Sequence, residues 1–428
     1  MAVAFPYRKS ISLSRSRADN INYSMKHMTK TFPFLGSADD LANTLYGDRV
    51  GTLIRTGHGS QIDALGGDDT VYGDAVAVRG HIRAGSDWIF GGDGNDTLYG
   101  DARAISGSAR AGSDHIDGGV GADLIYGDAR SISGSVRAGN DHIDGGLDAD
   151  LIYGDALTIS GSARAGNDEL NGSDGVDQIY GDARSLSGAV RAGHDRIDGG
   201  IDGDVIYGDA ASIRGHVRAG NDWIFGGDGA DTLFGDAQSM SGSAVAGRDH
   251  IEGGFDADLL YGDAVTISGA AWGGSDWISG GDGADTLYGD ARMLSGHAQG
   301  GHDWIDGGAG NDTIYGDAEI ASRKSRGGND KLDGGTGDDH LWGGSGNDTF
   351  IFGGPGSGID TIHDFGQTKG DRDLIDLRAY ATSFSDLQIE YSGGNAIITL
   401  TAGASGGVAI DQITVIGVTG LSSADFLI

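Results

Sequence analysis

GGDGNDTLYGDARAISGSARAGSDHID, Gly91 to Asp117, is one period of a repeat that fills most of the chain. Its first nine residues follow G-G-x-G-x-D-x-U-x, where U is apolar. The glycines permit a tight turn through positive φ. The turn carbonyls and the Asp carboxylate converge on a point suited to a metal ion. The three residues after the Asp form a short strand whose apolar member faces inward. Leu98 and, one period on, Ile125 take that place and are assigned to the core.

The tripeptide Tyr-Gly-Asp serves as a ruler. It starts at Tyr46, Tyr72, Tyr99, Tyr126, Tyr153, Tyr180, Tyr207, Tyr261, Tyr288 and Tyr315, with Phe234 filling the gap and Trp342 opening a variant. From Tyr72 to Trp342 every step has the same length, and the step from Tyr46 to Tyr72 is one residue shorter. A spacing held that strictly means equivalent units stacked on one another, which predicts an all-β, right-handed parallel β-solenoid. Two geometries satisfy the period. In one, each 27-residue repeat makes a single coil. In the other, 18-residue coils run out of phase with the repeat, and Gly107 then falls where an inward apolar residue belongs. The single coil is preferred because it stacks identical positions. It joins Gly100-Asp101-Ala102 to Gly112-Ser113-Asp114 as a second metal-type turn interrupted by nine residues, which in the next repeat are read as a small hairpin arm with Arg130-Ser131-Ile132 against Val136-Arg137-Ala138.

The 428 residues include 82 Gly, three Pro and no Cys, with 63 acids against 29 Lys and Arg, for a net charge of −34. No Gly-X-Y period runs through the chain, which excludes collagen. The charge excludes nucleic acid as a partner and favours multivalent cations. Without Cys there are no disulfides and no thiolate metal sites. No apolar run is long enough to span a membrane. The start of the chain lacks the apolar core of a cleaved secretory signal, so any export is expected to take another route. No Pro lies between Pro33 and Pro355, as a continuous parallel ladder requires. Three regions are expected: a basic leader or cap over 1–36, the repeats over 37–358, and a β-rich module over 359–428.

The acids fall in register. At the sixth turn position stand Asp96, Asp123, Asp150, Asp177, Asp204, Asp231, Asp258, Asp285, Asp312, Asp339 and Asp348. A second edge repeats Asp87, Asp114, Asp141, Asp168, Asp195, Asp222, Asp249, Asp276, Asp303 and Asp330. The turn residues Gly91, Gly226, Gly280, Gly307 and Gly334, and the third-position acids Asp93, Asp228 and Asp282, complete the proposed ligand set. Carboxylates and carbonyls are hard oxygen donors and suit Ca²⁺, which accepts six to eight of them. Where the third position is apolar, as at Val120, Leu147, Ile201 and Phe255, the acid moves before the turn, to Asp117, Asp144, Asp198 and Glu252. Duplication of a 54-residue pair and spacing of like charges both account for this.

These turns resemble the repeats-in-toxin (RTX) Ca²⁺-binding β-roll proteins, over about Gly57 to Ile428. The carriers are GGDGNDTLY (91–99), GGDGADTLF (226–234), GGDGADTLY (280–288) and GGAGNDTIY (307–315). GGTGDDHLWGGSGNDTFIF (334–352) is most like the family's 18-residue coil. The tail, with GIDTIHDF (358–365), DLIDL (373–377) and the closing Asp425-Phe426-Leu427-Ile428, is similar to the family's C-terminal module. The resemblance implies structural Ca²⁺ ions, an uncleaved signal for the type I secretion apparatus, and an extracellular place.

Catalytic motifs are scarce. No H-E-x-x-H occurs, and Gly403-Ala404-Ser405-Gly406-Gly407 matches G-x-S-x-G in a Gly-rich turn with no His downstream. A non-enzymatic structural, surface-layer, matrix or adhesive protein is expected, with self-association or a cell-surface polysaccharide as further partners. The alternatives are the non-catalytic part of an extracellular enzyme system and a carbohydrate-binding accessory module: Trp88, Trp223, Trp277 and Trp304 share one repeat position, and Trp277 and Trp304 are one repeat apart and placed to stack. His115, His142 and His250 share that position and are read as part of an exposed face.

Overall fold

The computed structural model describes residues 34–37, 43–46, 59–367, 370–380, 383–401 and 410–428. The expected basic leader, apart from the short strand Phe34–Ser37, and the motif at 403–407 lie outside the described residues.

Three sheets run along one axis, of 15, 16 and 10 strands among the described residues, and their strands are parallel throughout the repeats. One coil supplies one strand to each. Trp88–Asp93 joins the first sheet, Thr97–Tyr99 the second and Ala102–Gly107 the third. Each pairs with its equivalent one repeat on: Trp88 with His115, Thr97 with Leu124, Ala102 with Ala129. The single 27-residue coil is therefore the geometry adopted. Toward the C-terminus the first sheet shortens its step, and Lys331 pairs directly with Thr349. The 18-residue coil thus appears where 334–352 predicted it.

Identical residues stack because the register is strict. Ile89, Ile116 and Ile143 of the first sheet face Leu98, Ile125 and Ile152 of the second across a continuous buried core. The ruler tyrosines from Tyr99 to Tyr288 are buried too, and Tyr46, Tyr72 and Tyr315 half-buried, a placement that the period alone did not assign. Their rings form a column from Tyr46 to Trp342, neighbours separated by 4.6–5.1 Å and nearly parallel.

The nine-residue insertion forms the third sheet and a returning limb. Ala102, Ile105 and Ala109 pack together in a second core, as do Ala129, Ile132 and Val136 one coil on. The two limbs meet as the hairpin reading expected, but their hydrogen bonds run to neighbouring coils. Ser131 pairs in register with Ala104 and Thr158, while Arg137 N–H donates to Ala109 O at 3.1 Å. A lone hairpin would leave its outer backbone groups to water, whereas stacking satisfies them along the axis. The result is a thin fin along one side of the solenoid. Gly107 makes its tip: φ is +88°, and an added Cβ would lie about 3 Å from Gly80 backbone atoms.

At the C-terminal end Gln388–Ser392, Asn395–Thr401 and Ile410–Val415 form an antiparallel meander within the region expected to be β-rich. Ile359–Ile362 joins it to the second sheet through a parallel pairing with Ile410–Val415. Phe426–Leu427 closes the first sheet beside Leu374–Asp376.

Candidate metal centres

The Asp at the end of each turn is held by its own ladder. Asp96 N–H donates to Asp123 Oδ1 at 2.7 Å, Asp123 N–H donates to Asp150 Oδ1 at 2.7 Å, and the series continues to Asp312 on Asp339 at 2.8 Å. A second ladder runs along the other edge, from Asp87 on Asp114 at 2.7 Å to Asp303 on Asp330 at 2.8 Å. Asp348, assigned by its motif to the first series, accepts from Asp330 N–H at 2.9 Å and so extends the second. The 18-residue coil brings its turn round to the opposite edge.

Each ladder uses one carboxylate oxygen per residue. The other oxygen, as in Asp96, Asp114, Asp123 and Asp141, is buried and accepts no hydrogen bond. These residues are at most 3% exposed. A buried carboxylate costs several kcal/mol unless a counter-charge meets it. The buried acids respond by rising in pKa, first through desolvation. Asp96 is pushed up to about 6, Asp123 to about 7 and Asp150 to about 8. On the second edge, burial and then neighbouring carboxylates hold Asp114 well above the usual range.

The second edge holds a further acid that the proposed ligand set left out. Asp101, from the Tyr-Gly-Asp ruler, is fully buried and accepts Gly112 N–H at 2.9 Å across the base of the fin. Carboxylate oxygens of Asp101, Asp114 and Asp128 lie within 4.8 Å of one another, and Asp128, Asp141 and Asp155 repeat the cluster. Desolvation, then Asp128 and Asp74, raise the Asp101 pKa strongly. The single-coil reading already joins Gly100-Asp101-Ala102 to Gly112-Ser113-Asp114 as one interrupted metal-type turn, and the Gly112–Asp101 hydrogen bond makes that junction, although the ligand set takes only Asp114 from it.

The proposed ligands separate into two groups by placement. The sixth-position and second-edge acids converge on the interior. Gly91, Gly226, Gly280, Gly307 and Gly334 are buried beside them. An added Cβ on Gly91 would stand 2.3 Å from Gly118 O and 2.6 Å from Asp96 Oδ2, so the glycine leaves a small space ringed by oxygen. Asp93, Asp228 and Asp282 instead sit at exposed strand ends, outside that array.

The donors fit a hard divalent cation. They are all oxygen, they carry one unpartnered buried atom per turn, and the space between them is closed to side chains. Ca²⁺, tolerant of irregular sets of six to eight oxygens, suits them better than a metal that prefers nitrogen or sulfur.

The family model for the RTX calcium-binding nonapeptide repeat (four copies) matches the chain in eleven segments, from 60–76 to 326–362, together over half its length. The chain belongs to the RTX calcium-binding repeat family. No curated protein matches it. Within this RTX solenoid the aromatic face does not form the expected tryptophan pair. Trp277 and Trp304 are in register, but the Trp277 ring stacks on His250 at 4.1 Å, and Lys331 Nζ lies 4.8 Å over the Trp304 ring. His115 and His142 stack at 4.7 Å, in keeping with a face of cross-coil ring contacts.

Proposed function

We propose that this RTX protein is a non-enzymatic, extracellular structural or adhesive component that folds when it binds Ca²⁺ outside the cell. The carrying observation is the buried carboxylate array, with one unpartnered oxygen per turn on both edges. Without a cation the array opposes folding, because like charges are confined in a desolvated interior. With Ca²⁺ the binding free energy becomes folding free energy. Cytoplasmic Ca²⁺ is low, so the chain stays unfolded there and can thread a type I secretion channel. The C-terminal module over 359–428 supplies the export signal in this reading, and its motifs are the support. Described helices are short 3₁₀ turns, and none is long and apolar enough to cross a membrane.

Far-ultraviolet circular dichroism during a Ca²⁺ titration from chelator to millimolar concentration tests the reading, with Mg²⁺ as control. A cooperative rise of β signal specific to Ca²⁺ is expected. A full β spectrum in chelator would overturn folding on export.

A further inference from the structure

The fin carries a charge pattern opposite to that of the rest of the chain. Nine of its ten described outgoing strands, from Ala75–Gly80 through Ala291–Leu294, contain no Asp or Glu in a molecule of net charge −34, and only the last, Ala318–Ala321, carries one, Glu319. The returning limb presents Arg83, Arg110, Arg137, Arg164, Arg191 and Arg218 in consecutive coils, bridged in parallel register. All six are exposed, and among the described residues none makes a salt bridge. At the spacing of neighbouring strands the column is about 24 Å long. Buried acids explain folding, but they do not explain why exposed arginines are aligned.

We propose that this arginine column is a binding track for a linear acidic polysaccharide. Three residues further along each coil stand exposed neutral hydrogen-bonding side chains, among them Ser113, Asn140, Asn167 and Asn221. They form a ladder of their own: Asn140 N–H donates to Ser113 Oγ at 3.1 Å and Asn167 N–H to Asn140 Oδ1 at 3.2 Å. A row of fixed cations beside a row of hydroxyls and amides matches a polymer that carries both acid groups and hydroxyls. Nucleic acid fits less well, because its phosphates recur at about 3.4 Å along a strand, out of step with the coils. A second copy of this chain also fits less well. Its exposed turn acids alternate between two columns, Asp148, Asp202 and Asp256 in one and Asp174, Asp228 and Asp282 in the other. No straight row of carboxylates, one per coil, then faces the arginines.

The test uses the full chain in millimolar Ca²⁺, with hyaluronan as the acidic probe and dextran as the neutral one. Circular dichroism on the same samples establishes that the solenoid is folded, so that a failure of Ca²⁺ folding is seen separately. Two variants remove equal charge: R137Q/R164Q/R191Q on the returning limb, and R103Q/R130Q/R184Q on the outgoing strands. Hyaluronan affinity is expected to fall about tenfold in the first and to change little in the second, because each exposed charge contributes modestly and the column acts together. Dextran is expected not to bind. In the wild-type chain, hyaluronan should also protect Arg137, Arg164 and Arg191 from phenylglyoxal, which keeps the test independent of how the variants fold. Equal losses in both variants, equal binding of dextran, or absence of protection would each overturn the proposal. So would salt-sensitive self-association that depends on the returning-limb arginines without hyaluronan binding, which would assign the face to a second copy.

Discussion

Asp96 and Asp123 are joined by a hydrogen bond that uses half of a carboxylate. The Asp96 N–H donates to Asp123 Oδ1 at 2.7 Å, and Asp123 Oδ2 is left buried without a hydrogen-bond partner. One oxygen ties the coils and the other is left open to a cation. The two roles separate in Asp123→Asn, which keeps an acceptor for the ladder but removes the charge. The Ca²⁺ midpoint for folding should rise several-fold, while the chain in chelator should become more structured than wild type. Calcium titration by circular dichroism reads both. An unchanged midpoint would leave Asp123 with the ladder alone.

Gly91 should resist substitution for reasons of space. A Cβ there meets Gly118 O and Asp96 Oδ2 well inside contact distance, and one of the two atoms is backbone. Gly91→Ala should cost at least the ~1–3 kcal/mol typical of overpacking. It should also weaken Ca²⁺ binding, since the methyl group occupies the oxygen-ringed space. Gly420, with nothing near its missing Cβ, gives the control, and Gly420→Ala should be neutral. Thermal melts in saturating Ca²⁺ and in limiting Ca²⁺ separate the packing loss from the binding loss.

The aromatic column depends on rings and not on hydroxyls. Phe234 stands among the tyrosines with neighbour separations of 4.7 and 5.0 Å, the same as elsewhere in the column. Tyr180→Phe should therefore change stability by less than about 0.5 kcal/mol, the scale of a benign substitution. Tyr180→Ala should cost about 3–5 kcal/mol, because a buried ring leaves a cavity that stacked coils cannot close. Chemical denaturation at fixed Ca²⁺ measures both.

Much of this architecture was legible because one rule, the 27-residue period, fixes register in every sheet at once. Leu98 and Ile125 were placed inward by the pattern after the turn Asp, and they are fully buried. The fin was harder to read. The stretch 129–138 offers local turn chemistry around Gly134, which suggests a hairpin, while the pairing partners lie one coil away in either direction. Local sequence does not distinguish a bond across an arm from a bond along a stack. The single-coil reading places Asp101 in an interrupted metal-type turn but leaves it out of the ligand set, for a related reason. Its neighbours Asp114 and Asp128 lie about half a coil and one full coil further along the chain, and only closure of the coil at Gly112 brings the three carboxylates together.

Protons and Ca²⁺ should act on the same carboxylates with opposite dependence on pH. Folding raises the pKa of Asp96 to about 6 and that of Asp150 to about 8, against an unfolded value of about 3.9. A group raised in the folded state favours folding fully below its unfolded pKa, and that contribution is lost as pH climbs through the folded value. In chelator, then, acidification toward pH 4 should increase β structure, and the gain should disappear between about pH 6 and 8, the span of the two folded values. With Ca²⁺ present the sign reverses. Protons compete with Ca²⁺ for the carboxylates of the unfolded chain, so the Ca²⁺ midpoint should rise as pH falls toward their unfolded value of about 4. Circular dichroism over a grid of pH and free Ca²⁺ tests both arms, with sedimentation velocity to separate acid-induced folding from aggregation. A chelated chain that gains no structure in acid would show that desolvated charge is not what keeps the apo chain unfolded.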